Sequence, residues 1–178
     1  MEYLKENILE KVNVGAMAQF MVLASLATFL PFFIHQQFLT GPIVNAILIL
    51  TLFLCGIRSA ITLALIPSLM ALSGGLLPAV LAPVVPFIMI SNCILIFTIE
   101  YLYKKFEQAK GGYWIGLLAG AGLKWVFLLS TTGLISRLLL KQELAVKVAQ
   151  MMSWPQFATA IAGGIIAFGI LKPLKAVK

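Results

Sequence analysis

The stretch Gly111–Gly133, GGYWIGLLAGAGLKWVFLLSTTG, decides how this chain is read. It is long and apolar enough to cross a bilayer as a helix, and Lys124 stands near its middle. A lysine at the centre of a spanning helix costs roughly 2.5–3.5 kcal/mol on insertion scales, so it is expected to face protein or a water-filled cavity. Gly116 and Gly120 precede it by eight and four residues and share its helical face. That face offers either a close helix contact or room for a ligand beside the ammonium. The plainer alternative is a lysine paired inside the bundle with carbonyls or a hydroxyl, for packing alone.

The rest of the chain fits a membrane setting. Of 178 residues, 61% are hydrophobic and 11% charged, and the mean hydropathy is +1.04. Soluble domains carry about 25% charged residues. The chain length suits one domain of about six helices at roughly 20 residues per crossing. A net charge of +7 raises the question of nucleic acid. The basic residues, however, flank apolar runs, as topology requires, and no nucleic-acid-reading motif accompanies them. Cys55 and Cys93 fall in apolar runs at different depths and make neither a disulfide framework nor, with the single His35, a metal site.

In chain order, residues 1–13 carry charges of both signs, with Leu4, Ile8 and Val12 at helical spacing, and predict a short helix on the membrane surface. Helix 1 is expected over 14–33, ended or bent by Pro31, and a polar loop at His35, Gln36 and Gln37 closes at Gly41 and Pro42. Helix 2 follows over 43–55, with Asn45 near its start. A tight turn at Gly56–Arg58 makes helix 3, over 59–72, its antiparallel neighbour. The prolines at 78, 83 and 86 predict irregular backbone lining a cavity near the membrane surface. Helix 4 is expected over 84–103 and helix 5 over 111–133. The charged segment 135–152 is expected to lie flat as an outer amphipathic cap, helix 6 to run over 154–171, and 173–178 to form a basic tail.

These readings give an all-α membrane protein with a transmembrane domain of six helices over 14–172. Six crossings put both termini on one side. That side collects Lys5, Lys11, Arg58, Lys104, Lys105, Lys110, Lys172, Lys175 and Lys178, against Arg137, Lys141 and Lys147 opposite. By the positive-inside rule both termini are cytoplasmic.

Polar residues then pool at the outer ends of the helices: His35, Gln36, Gln37, Asn45, Thr131, Gln156 and Thr159. Polar groups are costly in lipid unless paired or wetted. An outward-facing pocket accounts for the pooling, although loop-proximal residues are polar in any membrane protein. Asn92 and Lys124 lie deeper and form the expected floor. No acidic residue shares their depth, so the missing counter-charge points to a ligand with a carboxylate, phosphate or electron-rich ring. No catalytic motif is present: no HExxH, no GxSxG, no Walker lysine loop and no intramembrane acidic pair. An enzyme is not expected, nor any cofactor, and ATP-driven work must come from another chain.

Three segments, SLATFLPFF (Ser25–Phe33), IPSLMALSGGLLPAVLAPVVPF (Ile66–Phe87) and PQFATAIAGGIIAFGILKPL (Pro155–Leu174), carry a resemblance. With the six-helix size, the chain resembles the substrate-binding S components of energy-coupling factor (ECF) transporters along nearly its whole length. The resemblance implies a multi-pass protein of a prokaryotic cell membrane that captures a small vitamin-like or metal-ion substrate from outside. It implies a transmembrane T component and two cytoplasmic ATPases as partners, with the S component toppling to release its load. Members usually contact the T component through AxxxA on helix 1; here Ala24 is followed by Thr28. An accessory subunit of a membrane complex, which binds no small molecule, and a self-contained ion-coupled carrier are the other readings. The lack of a buried acidic residue argues against the carrier.

The charge asymmetry makes a labelling prediction. Single cysteines at His35 or Gln142 react with an impermeant thiol reagent on intact cells, and one at Lys110 does not. Labelling at Lys110 alone would reverse the orientation.

Overall fold

The computed structural model describes residues 14–34, 37–75, 79–106, 111–139 and 148–177, and among them every regular element is helical. The elements are α1 (Val14–Phe33), α2 (Gln37–Cys55), α3 (Ile57–Ser73), a 3-10 helix (Ala79–Val84), α4 (Val85–Lys105), α5 (Gly112–Leu139) and α6 (Trp154–Leu171). Five stretches are long and apolar enough to cross a membrane: Val14–Phe33, Phe38–Cys55, Ala82–Lys105, Gly112–Gly133 and Val148–Leu171. The sixth apolar helix, α3, has 17 residues and is therefore about 25 Å long at 1.5 Å per residue. The surface helix expected over 1–13, His35, Gln36, Lys110, the centre of the charged segment (140–147) and the final lysine lie outside the described residues.

Helices α1 and α6 have the limits that hydropathy predicts. Two others differ. Helix α2 starts at Gln37 rather than Ile43, so Gly41 and Pro42 are helical rather than a turn. Pro42 sits just past the first turn and forfeits only the bond that its missing N–H would make to the Phe38 carbonyl. Helix α5 runs on to Leu139, so the start of the expected flat segment continues a spanning helix. Of the proline-rich stretch, expected to be irregular, Ala79–Val84 with Pro83 forms the 3-10 helix, Pro86 enters α4 in its first turn, where no N–H is required, and Pro78 lies outside the described residues.

Small residues set how closely the helices approach. A Cβ on Gly116 would stand 3.2 Å from the Ile99 backbone, and one on Gly120 would stand 3.1 Å from the Leu95 carbonyl. The glycine face of α5 is thus a close contact with α4, the first of the two uses its spacing allows. Helices α2 and α6 meet more tightly. A Cβ on Gly163 would lie 2.6 Å from the Pro42 carbonyl and 2.8 Å from the Ala46 nitrogen, and Gly41 in turn receives the Thr159 side chain. Between the helices Leu48, Ile49, Leu63, Leu95, Ile96, Ile99 and Leu117 are fully or almost fully buried. Toward the end that holds Gly56 and Lys172, the Tyr113 hydroxyl donates to the Gly164 carbonyl at 2.6 Å, and its ring packs on Phe53 and Phe168. At the other end Val148 and Met152 pack with Val84 and Ile135, bringing the chain before α6 back over the bundle.

Gly163→Ala forces backbone apart and is expected to cost roughly 1–3 kcal/mol as an overpacked contact. At Gly122 an added methyl would meet nothing within 4 Å, so alanine is accepted there without loss. Thermal unfolding of both variants in detergent checks this; equal midpoints would mean that α2 and α6 do not meet at Gly163.

Candidate ligand-binding cavity

The close α2–α6 and α4–α5 contacts fix where Asn45, Asn92 and Lys124 come together. Lys124 is 2% exposed, and its Nζ donates to Asn45 Oδ1 at 2.8 Å and to Asn92 Oδ1 at 2.7 Å. An ammonium can only donate, so both amides must turn their oxygens to it. Their nitrogens are then used outward: Asn45 Nδ2 donates to the Gly41 carbonyl at 2.9 Å, and Asn92 Nδ2 to the Ala64 carbonyl at 3.4 Å. One lysine thereby links α2, α4 and α5, and Asn92 extends the network to α3.

No carboxylate joins this network among the described residues. Glu100, the one acidic residue there, pairs with Lys104 one turn on along α4. The partners of Lys124 are neutral amides, and two of its three N–H donors are engaged.

Above the lysine lies a cavity of about 430 Å³. That is within the ~300–1,000 Å³ range of small-molecule sites. Pro31 and Ile34 at the end of α1, Thr40, Gly41, Val44 and Asn45 on α2, and Pro67, Ser68 and Ala71 on α3 form much of its wall. Ile88 and Asn92 on α4, Met151, Met152 and Gln156 complete it, with the Gly74–Gly75 turn at its edge. These are the C-terminal ends of α1 and α3 and the N-terminal ends of α2 and α6. The cavity therefore lies toward the end of the bundle away from Arg58, Lys104, Lys105 and Lys172.

Of the residues expected to bind a ligand, Lys124, Asn92, Asn45 and Gln156 come together on this wall. Gln156 Nε2 is tied to the Met151 carbonyl at 3.3 Å, which holds the chain before α6 against the mouth. Thr159 and Thr131 are used differently. Thr159 is buried against Gly41 and donates to the Gln156 carbonyl, and Thr131 donates to the Phe127 carbonyl of its own helix. Gln37 is the first residue of α2, and its side chain lies outside the described set, as His35 and Gln36 do. On α1, Ala24 is half-buried and packs against the core, and Thr28 is half-buried. The outward face of that helix carries Met21, Val22, Leu26 and Phe29.

Ser68 is a buried polar wall residue that the sequence does not single out. It is 7% exposed, and its Oγ makes no hydrogen bond among the described residues. A helical serine usually turns back to the carbonyl four residues earlier. Here that acceptor is Ala64, which already receives Asn92. A lone serine in an apolar helix reads as packing until its place on the cavity wall is visible.

No family model, curated protein or solved structure matches the chain.

The network makes a coupling prediction. Asn92→Leu strips one acceptor from a buried cation and is expected to lower stability by about 1–3 kcal/mol. In a Lys124→Met background the same change costs well under half as much, because no cation remains to be satisfied. Thermal unfolding of the four proteins gives the cycle. A coupling near zero would mean that the 2.7 Å contact carries no energy.

Proposed function

We propose that this chain captures a small micronutrient-like molecule from outside the cell, as the substrate-binding component of an ECF-type importer. The observation that carries the reading is the cavity of about 430 Å³ whose floor is a buried lysine held by two neutral amides. A structural lysine would be cheaper as methionine, since an uncompensated cation in a bundle costs insertion free energy. An unmatched positive group facing a cavity gains its compensation when a ligand arrives.

The direction of the cavity supports capture from outside. It lies at the end of the bundle away from the basic residues, and the positive-inside rule assigns the basic end to the cytoplasm. The sequence resemblance to S components supplies the partners: a T component in the membrane and two ATPases beneath it. Under this reading α1 is the surface presented to the T component, since it is the least buried of the spanning helices.

The test is isolation from native membranes. The chain is expected to come out with a membrane partner and ATPase subunits, and with a small molecule detectable by mass spectrometry of the solvent extract. Lys124→Met should keep the complex and lose the small molecule. Thr28→Trp, and Ala24→Trp where its added load on the core is tolerated, should do the reverse. A protein that carries no small molecule and no ATPase partner would overturn the proposal in favour of an accessory subunit.

A further inference from the structure

We infer that the cavity takes its ligand through a single carboxylate, held jointly by Lys124 Nζ and Ser68 Oγ, with an apolar body filling the remaining wall. This rests on the capture reading above and narrows its substrate class.

Two independent observations meet here. Lys124 has one N–H donor left after Asn45 and Asn92, and its side chain lines the cavity. Ser68 is more than nine-tenths buried, lines the same cavity, and has a hydroxyl with no partner among the described residues. Asn92 connects the two positions. It holds Lys124 on one side and reaches Ala64 on the other, and Ala64 is one helical turn from Ser68 on the same face of α3. Two donors on the wall of one cavity, one charged and one neutral, match the two oxygens of a carboxylate.

The alternatives fit less well. A phosphate monoester brings a charge near −1.5 to −2 and three acceptor oxygens. Among the described residues the cavity wall holds one cation and no arginine, so much of that charge would be buried without compensation. The oxygens of Asn45 and Asn92 already face the ammonium and oppose a second negative charge beside it. An electron-rich ring would satisfy Lys124 through its face but leave Ser68 unpaired. Most of the remaining wall, including Ile34, Val44, Ala71, Ile88 and the two methionines, offers apolar surface, and its other polar side chains are already engaged: Gln156 with the Met151 carbonyl, and Thr40 with a partner of its own. Methionine side chains are adaptable enough to close on bodies of differing shape.

The test uses three probes with one apolar body: 4-phenylbutyrate, 4-phenylbutyramide and the phosphate monoester of 4-phenylbutanol, titrated against the purified full chain by thermal unfolding. The carboxylate is expected to raise the unfolding midpoint at a concentration at least ten-fold lower than either other probe needs. Ser68→Ala should weaken the carboxylate by about ten-fold, and Lys124→Met should abolish its effect. Where Lys124→Met does not fold, Ser68→Ala and the three-probe ranking decide. Stabilisation by the amide or the phosphate ester equal to that by the carboxylate, or a carboxylate effect unchanged in Ser68→Ala, would overturn the carboxylate assignment and leave capture standing. No stabilisation by any probe would also overturn it. Capture itself falls on the separate finding that the native protein carries no small molecule.

Discussion

Everything distinctive about this bundle follows from one constraint: Lys124 is buried at the middle of a spanning stretch and must be satisfied there. A cation in a low-dielectric interior needs either an anion or a set of acceptors. The chain supplies two amide oxygens, from α2 and from α4, at hydrogen-bonding distance. That choice fixes the phase of three helices together, because Asn45, Asn92 and Lys124 reach one point only if each helix presents a particular face. It also leaves the positive charge without a counter-charge among the described residues.

Backbone proximity makes the arrangement possible. Asparagine is short, so its helix must lie close to the lysine. Gly163 lets α6 settle on the Pro42 carbonyl, beside Asn45, and Gly116 and Gly120 let α5 settle on α4, beside Asn92. In lipid there is little hydrophobic drive between helices, and close van der Waals packing of small residues takes its place. The glycines and the amides are thus parts of one device: the first bring the helices near enough for the second to reach.

Much of this is legible in the sequence, and the losses have physical causes. The two end helices match their predicted limits because hydropathy alone defines them, and depth along the helices is enough to single out Asn92 and Lys124 as a floor. Helix α2 reads short because Gly-Pro signals a turn in water. Near a helix N-terminus in a membrane protein a proline sacrifices one bond and little else. Depth also cannot see rotation. Thr131 and Thr159 lie in the right layer, yet their hydroxyls serve carbonyls within three or four residues on their own helix, while Ser68 turns to the cavity. That difference depends on how each helix is rotated against its neighbours, a long-range fact that no local pattern carries.

The same network says how a bound anion would be felt by the fold. Lys124 already ties α2, α4 and α5, and Asn92 reaches α3 only through a long 3.4 Å contact. A carboxylate bridging Lys124 and Ser68 would add a charge-assisted link from α5 to α3, and so draw α3 into the set. Helix α3 is the one with most to gain: it is the shortest of the six, and Pro67 interrupts its hydrogen bonding one residue before Ser68. Anything that binds the native state and not the unfolded one stabilises by mass action. Because the new link falls on the shortest helix, the ligand would firm the cavity end of the bundle more than the Tyr113 end, which is already closed by buried aromatic packing.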